Sequence, residues 1–144
     1  MKLEKGITLT SLVIYVIGIT IIFAVVANLT IYFNKNSRII EYTTNNSAQI
    51  TRLNQYLIND TKKENVQIIE ANENVITMQT NGEIIKYTYD KKSKGIYRNK
   101  VKIANDVQSL DIKKEVIYDK IKLLLKNITI GEQEQIQKDL EYII

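Results

Sequence analysis

The chain has 144 residues, a formal net charge of +4 and 44% apolar residues, which suits one domain or a small domain with an accessory segment. It contains neither cysteine nor histidine. This composition excludes disulfide bonds, thiol or imidazole catalysis, zinc fingers and the usual haem ligands, so any folded core must be held by apolar burial.

The first predicted element is a membrane-spanning helix. Residues 6–34 contain no charged side chain, and this block lies between Lys5 and Lys35. A helix over residues 7–33 would be about 40 Å long, against about 30 Å of bilayer hydrocarbon. Because apolar side chains surround its whole circumference, it offers no polar face to a globular surface. We therefore predict a transmembrane helix over residues 7–34.

Three interpretations fit this block, and the first two need no further motif. A cleaved secretory signal peptide would use Lys2 and Lys5 as its basic region and cleave after Ala27, but the apolar stretch is longer than such signals need. A plain single-pass anchor is the second interpretation. The third depends on the residues at the start of the block.

A basic leader of six residues ends at Gly6, and Ile7, Thr8 and Leu9 open the apolar helix. This arrangement resembles the N-terminal signal of type IV pilins and pseudopilins, the subunits of type IV pili, type II secretion and competence filaments. The resemblance implies that a prepilin peptidase removes residues 1–6 and that Ile7 becomes the methylated first residue. It also implies a single-pass protein of the bacterial cell membrane, with an extracytoplasmic head, that assembles with other pilin-like subunits.

Ser11 departs from the pattern of that family. Family members usually have glutamate at the fifth position after the cut, where it pairs with the N-terminal amine of a neighbouring subunit. Ser11 carries no charge, and a carboxylate without a partner would be costly in a bilayer. The resemblance therefore implies a minor subunit, at a filament tip or of an atypical kind, with Ser11 at an inter-subunit contact.

The helix is predicted to continue beyond the membrane as an amphipathic segment over residues 35–59, which contain neither glycine nor proline. Small or apolar side chains at steps of three and four are expected to face a folded head. This stripe consists of Ile40, Thr43, Ser47, Ile50, Leu53 and Leu57. The other faces are expected to carry polar residues, among them Glu41, Asn45, Gln49 and Arg52. Residues 59–63 are expected to form the exit loop.

Residues 60–144 are predicted to form a head of antiparallel strands, because apolar alternation recurs between turn signals. The predicted strands cover residues 66–70, 75–80, 83–89, 96–98, 101–104, 107–112, 120–130 and 135–144. A helix also fits the last segment, but a strand there would pair with residues 120–130 across Gly131. The predicted fold class is α+β, with a long N-terminal helix packed on an antiparallel sheet. The pilin family has the same architecture.

The strongest local signal in the head is a hairpin at Asn81 and Gly82, which tolerate the positive φ angles of a two-residue type I′ turn. The predicted pairs are Thr80 with Glu83, Met78 with Ile85 and Ile76 with Tyr87. A smaller hairpin farther along the chain is expected to set Ile96 opposite Ile103. Within this region, residues 84–90, 95–99 and 103–107 resemble the head of larger minor pseudopilins of the J-type or PilW-like kind.

No motif predicts catalysis. The densest acidic stretch, residues 132–141, does not follow a calcium-loop pattern, and no glycine-rich phosphate loop is present. We therefore expect a structural subunit with no catalytic residue, cofactor or metal. The alternative is a single-pass anchored protein whose extracytoplasmic β domain binds a ligand or a partner without forming a filament.

One basic cluster is a candidate binding surface. Its cations are Lys91, Lys92, Lys94, Arg98, Lys100 and Lys102. Tyr87, Tyr89 and Tyr97 are interleaved with them, and aromatic rings beside cations can stack bases and hold phosphates. Polyanion binding, with DNA as one candidate partner, is therefore one hypothesis. The simpler alternative is that lysines protect exposed sheet edges, and anionic lipid or cell-wall polymer would be attracted equally well.

Overall fold

The computed structural model describes residues 8–118 and 120–144, so the predicted leader and the processing residues Gly6 and Ile7 lie outside the described residues. Over the described residues the chain forms one helix, α1 (Leu9–Thr61), and then eight strands. The strands are β1 (Gln67–Asn72), β2 (Val75–Thr80), β3 (Glu83–Asp90), β4 (Gly95–Arg98), β5 (Val101–Ala104), β6 (Val107–Ile117), β7 (Lys120–Ile130) and β8 (Ile136–Ile143). The predicted α+β class, with one long apolar N-terminal helix followed by antiparallel sheets, is confirmed.

The chain divides after Ile40 into two compact units. In the first unit, α1 contains an 18-residue window with a mean hydropathy of 2.6, none of it buried. Of the described residues, only α1 forms a helix long and apolar enough to cross a membrane. The hydroxyls of Thr20 and Thr30 donate to the carbonyls of Val16 and Val26, at 2.8 and 2.9 Å. These bonds satisfy the hydroxyl groups within the helix, which suits a lipid environment.

The second unit contains the end of α1 and two antiparallel sheets. Strands β1 to β5 form one sheet in sequential order, and β6 to β8 form the other. The sequence predicted one antiparallel sheet, but the described residues form two. The chain passes from the first sheet to the second between β5 and β6, where Asp106 adopts a φ of 54°. Both sheets contribute to one apolar core together with Ile50, Leu53 and Leu57 of α1. The core therefore lies wholly within the second unit.

The predicted register of the first hairpin is confirmed, because all three predicted pairs are present between β2 and β3. Asn81 and Gly82 have φ angles of 47° and 84°, as a type I′ turn requires. The second predicted register is wrong, since Ile96 pairs with Ala104 rather than with Ile103. The register shifts beside Ile96, and both Ile103 and Ala104 become buried. A bulge thus turns two consecutive side chains toward the core.

The amphipathic half of α1 was predicted only in part. Ile50, Leu53 and Leu57 are buried as expected. Ile40, Thr43 and Ser47 are exposed, and Gln49 is buried rather than on a polar face. The buried face begins at Asn46, whose amide nitrogen donates to the carbonyl oxygen of Glu134 at 2.8 Å. The side-chain oxygen of Gln49 accepts from the backbone N–H of Asn105. Hydrogen bonds to distant loops therefore make it possible to bury polar residues on this face.

The second sheet corrects one strand end and resolves one ambiguity. Strand β6 continues to Ile117, five residues beyond the predicted end at Ile112, because its outer half pairs with β7 as far as Ile117 opposite Lys120. The closing segment is strand β8, which pairs with β7 across Gly131 as predicted. Gly131 has a φ of 110°, a conformation that a residue with a side chain rarely adopts.

Candidate functional sites

The last turn of α1 holds a buried carboxylate. The sequence placed Asp60 in an exit loop, but the helix continues to Thr61 and the Asp60 side chain is only 3% exposed. On β4, Arg98 donates from Nε to Oδ2 at 2.7 Å and from Nη2 to Oδ1 at 2.9 Å. The hydroxyl of Tyr87 on β3 also donates to Oδ2. We name Asp60, Tyr87 and Arg98 the helix clasp, because their bonds join the end of α1 to the first sheet.

The electrostatics of the clasp fix its charge state. Burial raises the pKa of Asp60, but hydrogen bonds from Arg98 and Tyr87 and the Arg98 charge outweigh it and hold this pKa below the ordinary 3.8. Burial and the adjacent carboxylate raise the pKa of Tyr87, and the hydrogen bond to Asp60 raises that of Arg98. At neutral pH the clasp is therefore a paired carboxylate and guanidinium with a neutral phenol. Lys63 adds a cation 3.7 Å from Oδ1, and the guanidinium lies 5.4 Å from the centre of the Tyr56 ring.

The structure divides the predicted basic cluster into paired and unpaired cations. Arg98 belongs to the clasp, and Lys94 Nζ lies 2.7 Å from Glu132 Oε1. Lys102 Nζ lies 6.0 Å from the centre of the Tyr97 ring. Among the described residues, three cations of the cluster have no ion pair or aromatic partner, namely Lys91, Lys92 and Lys100.

The three interleaved tyrosines differ in burial. Tyr87 and Tyr89 are buried, at 2% and 5% exposure, and the hydroxyl of Tyr89 donates to the carbonyl of Val107 at 3.1 Å. Tyr97 remains partly exposed. Of the three rings that the sequence offered for stacking, Tyr97 is thus the one that a ligand can reach.

An open cavity of about 710 Å³ surrounds this ring on the solvent side of β3 and β4. Its walls are formed by Lys86, Thr88, Asp90, Tyr97, Asn99 and Lys100. The cavity combines one aromatic ring, two amino groups, two neutral hydrogen-bonding side chains and the carboxylate of Asp90, which accepts hydrogen bonds from the backbone N–H of Lys92 and the hydroxyl of Ser93. This lining suits a flat or sugar-like molecule that carries an anionic group.

Ser11 lies in the first turn of α1. Its backbone N–H is 3.4 Å from the hydroxyl oxygen of Thr8, which stands immediately before the helix in the position of an N-cap. The first turn contains no acidic residue, so no side-chain charge there complements the positive end of the helix dipole. Ser11 is partly exposed.

Sequence reasoning missed the helix clasp, although its members were visible. Asp60 was assigned to a loop, and Arg98 was counted among solvent cations. A signal was present in the single carboxylate at the end of the amphipathic stripe, three residues after Leu57, which places both on one helix face.

Comparison with protein-family models, curated proteins and solved structures finds no match for this chain.

Proposed function

We propose that this chain is a membrane-anchored structural subunit of the pilin-like kind, a minor pilin or pseudopilin of a type IV pilus, type II secretion or competence filament. The observation that carries the proposal is the uninterrupted helix α1, Leu9–Thr61, whose 53 residues begin in an apolar block and end in the core of a β unit. An anchor that served only to tether a domain would not need helical continuity from lipid into a folded core.

The two halves of α1 support complementary roles. The apolar half exposes side chains all round, so it requires lipid or other apolar helices as its surroundings. The second half contributes Ile50, Leu53 and Leu57 to the core, each at most 2% exposed. In the proposed subunit, the first half holds the protein in the bilayer and later packs against neighbouring helices. The head is then presented outside the cytoplasm.

The resemblance at the start of the block supplies the processing part of the proposal. Cleavage after Gly6 would leave Ile7 as a methylated first residue close to the start of α1. Ser11, in the first turn, would then face the N-terminal amine of a neighbouring subunit without a charge to pair with it. The prepilin peptidase and other pilin-like subunits are the proposed partners.

The cavity beside Tyr97 favours a second candidate function. A single-pass anchored protein could use this cavity, with Lys86 and Lys100 on its walls, to bind an anionic ligand without any filament. The two functions make different demands on Ser11, because only a filament subunit needs a neighbour there.

Cross-linking from residue 11 tests the filament proposal. The chain has no cysteine, so Ser11→Cys introduces its sole thiol. A membrane-permeable thiol-to-amine cross-linker, applied to cells that produce the full chain, should join this thiol to the N-terminal amine of a neighbour in a fraction of the molecules, in competition with the chain's own amine four residues away in the sequence. We expect a cross-linked species that contains a second subunit with an apolar N-terminal helix.

Thr20→Cys is the matched control, because it lies in the middle of the charge-free block, where neither the chain nor an aligned neighbour offers an amine. It should remain a monomer under the same conditions. A Ser11→Cys protein that also remains a monomer would contradict the filament proposal and favour the anchored binding protein.

A further inference from the structure

The cavity beside Tyr97 is organised by the pairing of neighbouring strands. Tyr97 on β4 pairs with Thr88 on β3 and with Lys102 on β5. Along β3, Lys86, Thr88 and Asp90 alternate with buried residues, so their side chains share the solvent face. At about 3.3 Å per residue, Lys86 and Asp90 lie about 13 Å apart along the strand. Tyr97 therefore stands opposite the middle of a row that has a cation at one end and a carboxylate at the other.

The Tyr97 ring is held in place by its neighbours. Its hydroxyl donates to the hydroxyl oxygen of Ser93 at 3.1 Å, because the Ser93 proton is donated to Asp90. Lys102 Nζ lies over the ring, 6.0 Å from its centre. Gly95 makes this arrangement possible, since a Cβ there would lie 2.6 Å from Cε of Lys102 and 3.1 Å from Cε2 of the ring. A ring that is already fixed loses little conformational entropy when a ligand stacks on it.

The polar groups of the cavity are fixed as well. Oδ1 of Asn99 accepts the backbone N–H of Lys86 at 2.7 Å, so the amide nitrogen of Asn99 is left to donate to a ligand. Asp90 accepts the hydroxyl of Ser93 at 2.8 Å and the backbone N–H of Lys92 at 2.9 Å, one on each carboxylate oxygen. These bonds hold the pKa of Asp90 below the ordinary 3.8. The carboxylate is therefore ionised, and each oxygen retains a lone pair for a further donor.

This combination of groups suits a sugar ring. The C–H groups of a pyranose form an apolar face that can lie flat on an aromatic ring, and its hydroxyls need both acceptors and donors. Tyr97 supplies the ring, Asp90 the acceptor and Asn99 the donor. The volume of about 710 Å³ lies within the range of small-molecule binding sites.

Two amino groups add a preference for a negative charge on the sugar. Lys86 and Lys100 both line the cavity, and within the described part of the chain neither has an ion pair. Asn99 bonds to Lys86 and immediately precedes Lys100, so both cations lie at the end of the row that is distant from Asp90. The anionic group of a ligand would therefore be directed away from the carboxylate, which fixes the orientation of the sugar.

The same lining disfavours a nucleic acid. Proteins that bind single strands stack successive bases on several rings along a basic groove. Tyr87 and Tyr89 are buried, which leaves Tyr97 as the ring that a ligand can reach. Asp90 on the wall would repel a phosphodiester backbone, whereas it accepts hydrogen bonds from sugar hydroxyls.

We propose that the cavity beside Tyr97 binds an acidic saccharide, with a pyranose stacked on Tyr97 and its carboxylate or phosphate group beside Lys86 and Lys100. The hydroxyls of the same sugar donate to Asp90. This inference rests on the second candidate function, whose ligand class it names, and it does not depend on filament assembly.

A ligand-detected nuclear magnetic resonance titration of the full chain in uncharged detergent micelles tests the proposal. Trigalacturonate carries its charge as carboxylates, and its methyl ester is the neutral counterpart. Galactose 6-phosphate carries a phosphate, and galactose is the neutral counterpart. We expect at least one of the two acidic sugars to bind about tenfold more tightly than its counterpart, and this preference to weaken as salt is added.

Two variants examine the site from different sides. Tyr97→Leu removes the ring at a partly exposed position and should weaken the binding of the acidic sugar about tenfold. Its matched control is Tyr118→Leu, at a tyrosine that is 97% exposed in the other sheet, which should leave binding unchanged.

The double variant Lys86→Gln/Lys100→Gln should abolish the preference for the acidic sugar over its neutral counterpart. Lys113→Gln/Lys126→Gln removes two exposed lysines of the other sheet and should preserve that preference.

The outcomes separate this inference from the proposals on which it builds. Equal affinity for the acidic and neutral sugars in both pairs, or binding that Tyr97→Leu does not weaken, would overturn it. Tighter binding of single-stranded oligothymidylate that depends on Tyr97 would also overturn it, while leaving the second candidate function in place. The absence of binding by all three anionic probes would overturn the inference and the second candidate function together, and the filament proposal would still be decided by cross-linking from residue 11.

Discussion

Replacing Arg98 with methionine would leave the buried carboxylate of Asp60 without its main partner. Asp60 is 3% exposed and Arg98 26%, so water cannot fully replace the two lost hydrogen bonds. Removing one member of a buried ion pair typically costs 3–5 kcal/mol. Because Tyr87 and Lys63 remain beside Asp60, we expect the lower end of that range, about 3 kcal/mol.

Urea unfolding of the full chain in detergent micelles, followed by the near-ultraviolet circular dichroism of the buried tyrosines, measures this loss. With a slope of about 1.5 kcal/mol per molar, the midpoint should fall by about 2 M. Lys86→Met is the matched control, since Lys86 is an exposed cation on β3 beside Tyr87 and should change stability by less than about 0.5 kcal/mol. The double variant Asp60→Leu/Arg98→Met should recover most of the loss, because no charge is then buried.

The pH dependence provides an independent check on the same reasoning. The pKa of Asp60 is lower in the folded state than its ordinary 3.8, so the clasp stabilises fully above that value. This stabilisation is lost as the pH falls through the folded pKa. In Arg98→Met the carboxylate is buried without its partner, so its pKa rises. The difference in the free energy of unfolding between this variant and the unmodified chain should therefore become smaller as the pH falls. A variant with unchanged stability at neutral pH, or a double variant no more stable than Arg98→Met, would refute the reasoning.

Two further predictions concern turns and core packing. Gly82→Ala should lower the free energy of unfolding by about 1 kcal/mol through its positive φ alone, because nothing lies near an added Cβ. Gly131→Ala should cost about 3 kcal/mol, since its Cβ would also meet the carbonyl oxygen of Glu134 and the side-chain nitrogen of Asn46. Equal losses of stability in Gly82→Ala and Gly131→Ala would contradict this account of the two turns. Leu57→Ala, at a fully buried position, should cost about 3 kcal/mol, and Ile69→Ala, 55% exposed, less than about 0.5 kcal/mol, both by urea unfolding. A loss at Leu57 as small as the loss at Ile69 would show that the helix does not belong to the core.

The features that follow from local chemistry were predictable from the sequence. Asn81 and Gly82 impose one turn geometry, and that geometry sets the register of two strands without reference to the rest of the fold. The continuation of α1 beyond the apolar block followed in the same way from the absence of glycine and proline over residues 35–59. Most strand positions were also predictable, because their apolar alternation lies within a few residues.

The clasp could not be derived in this way, because its bonds join residues 27 and 38 positions apart. Nothing near Arg98 in the sequence distinguishes it from the solvent lysines around it. The hydrogen bond of Asn46 spans 88 residues, and it reverses the ordinary rule that a polar side chain lies outside. The division into two sheets is likewise a property of the folded unit, in which both sheets share one core with α1.

The length of β6 was missed for a related reason. Residues 113–117 carry three charges in five positions, so their composition does not indicate a strand. Pairing with β7, which is richer in apolar residues, extends β6 past the core, and the exposed end of this hairpin follows from that extension.

The mass of the mature chain, measured on protein purified from the membranes of the cells that make it, tests the central claim most directly. A pilin-like subunit should begin at Ile7 with one methyl group on its amine, and tandem mass spectrometry of the N-terminal peptide should locate that group. A chain that begins at Met1 would contradict the account and leave a plain membrane anchor. A chain that begins at Asn28 would contradict it equally, because the apolar block would then be a signal peptide that is removed.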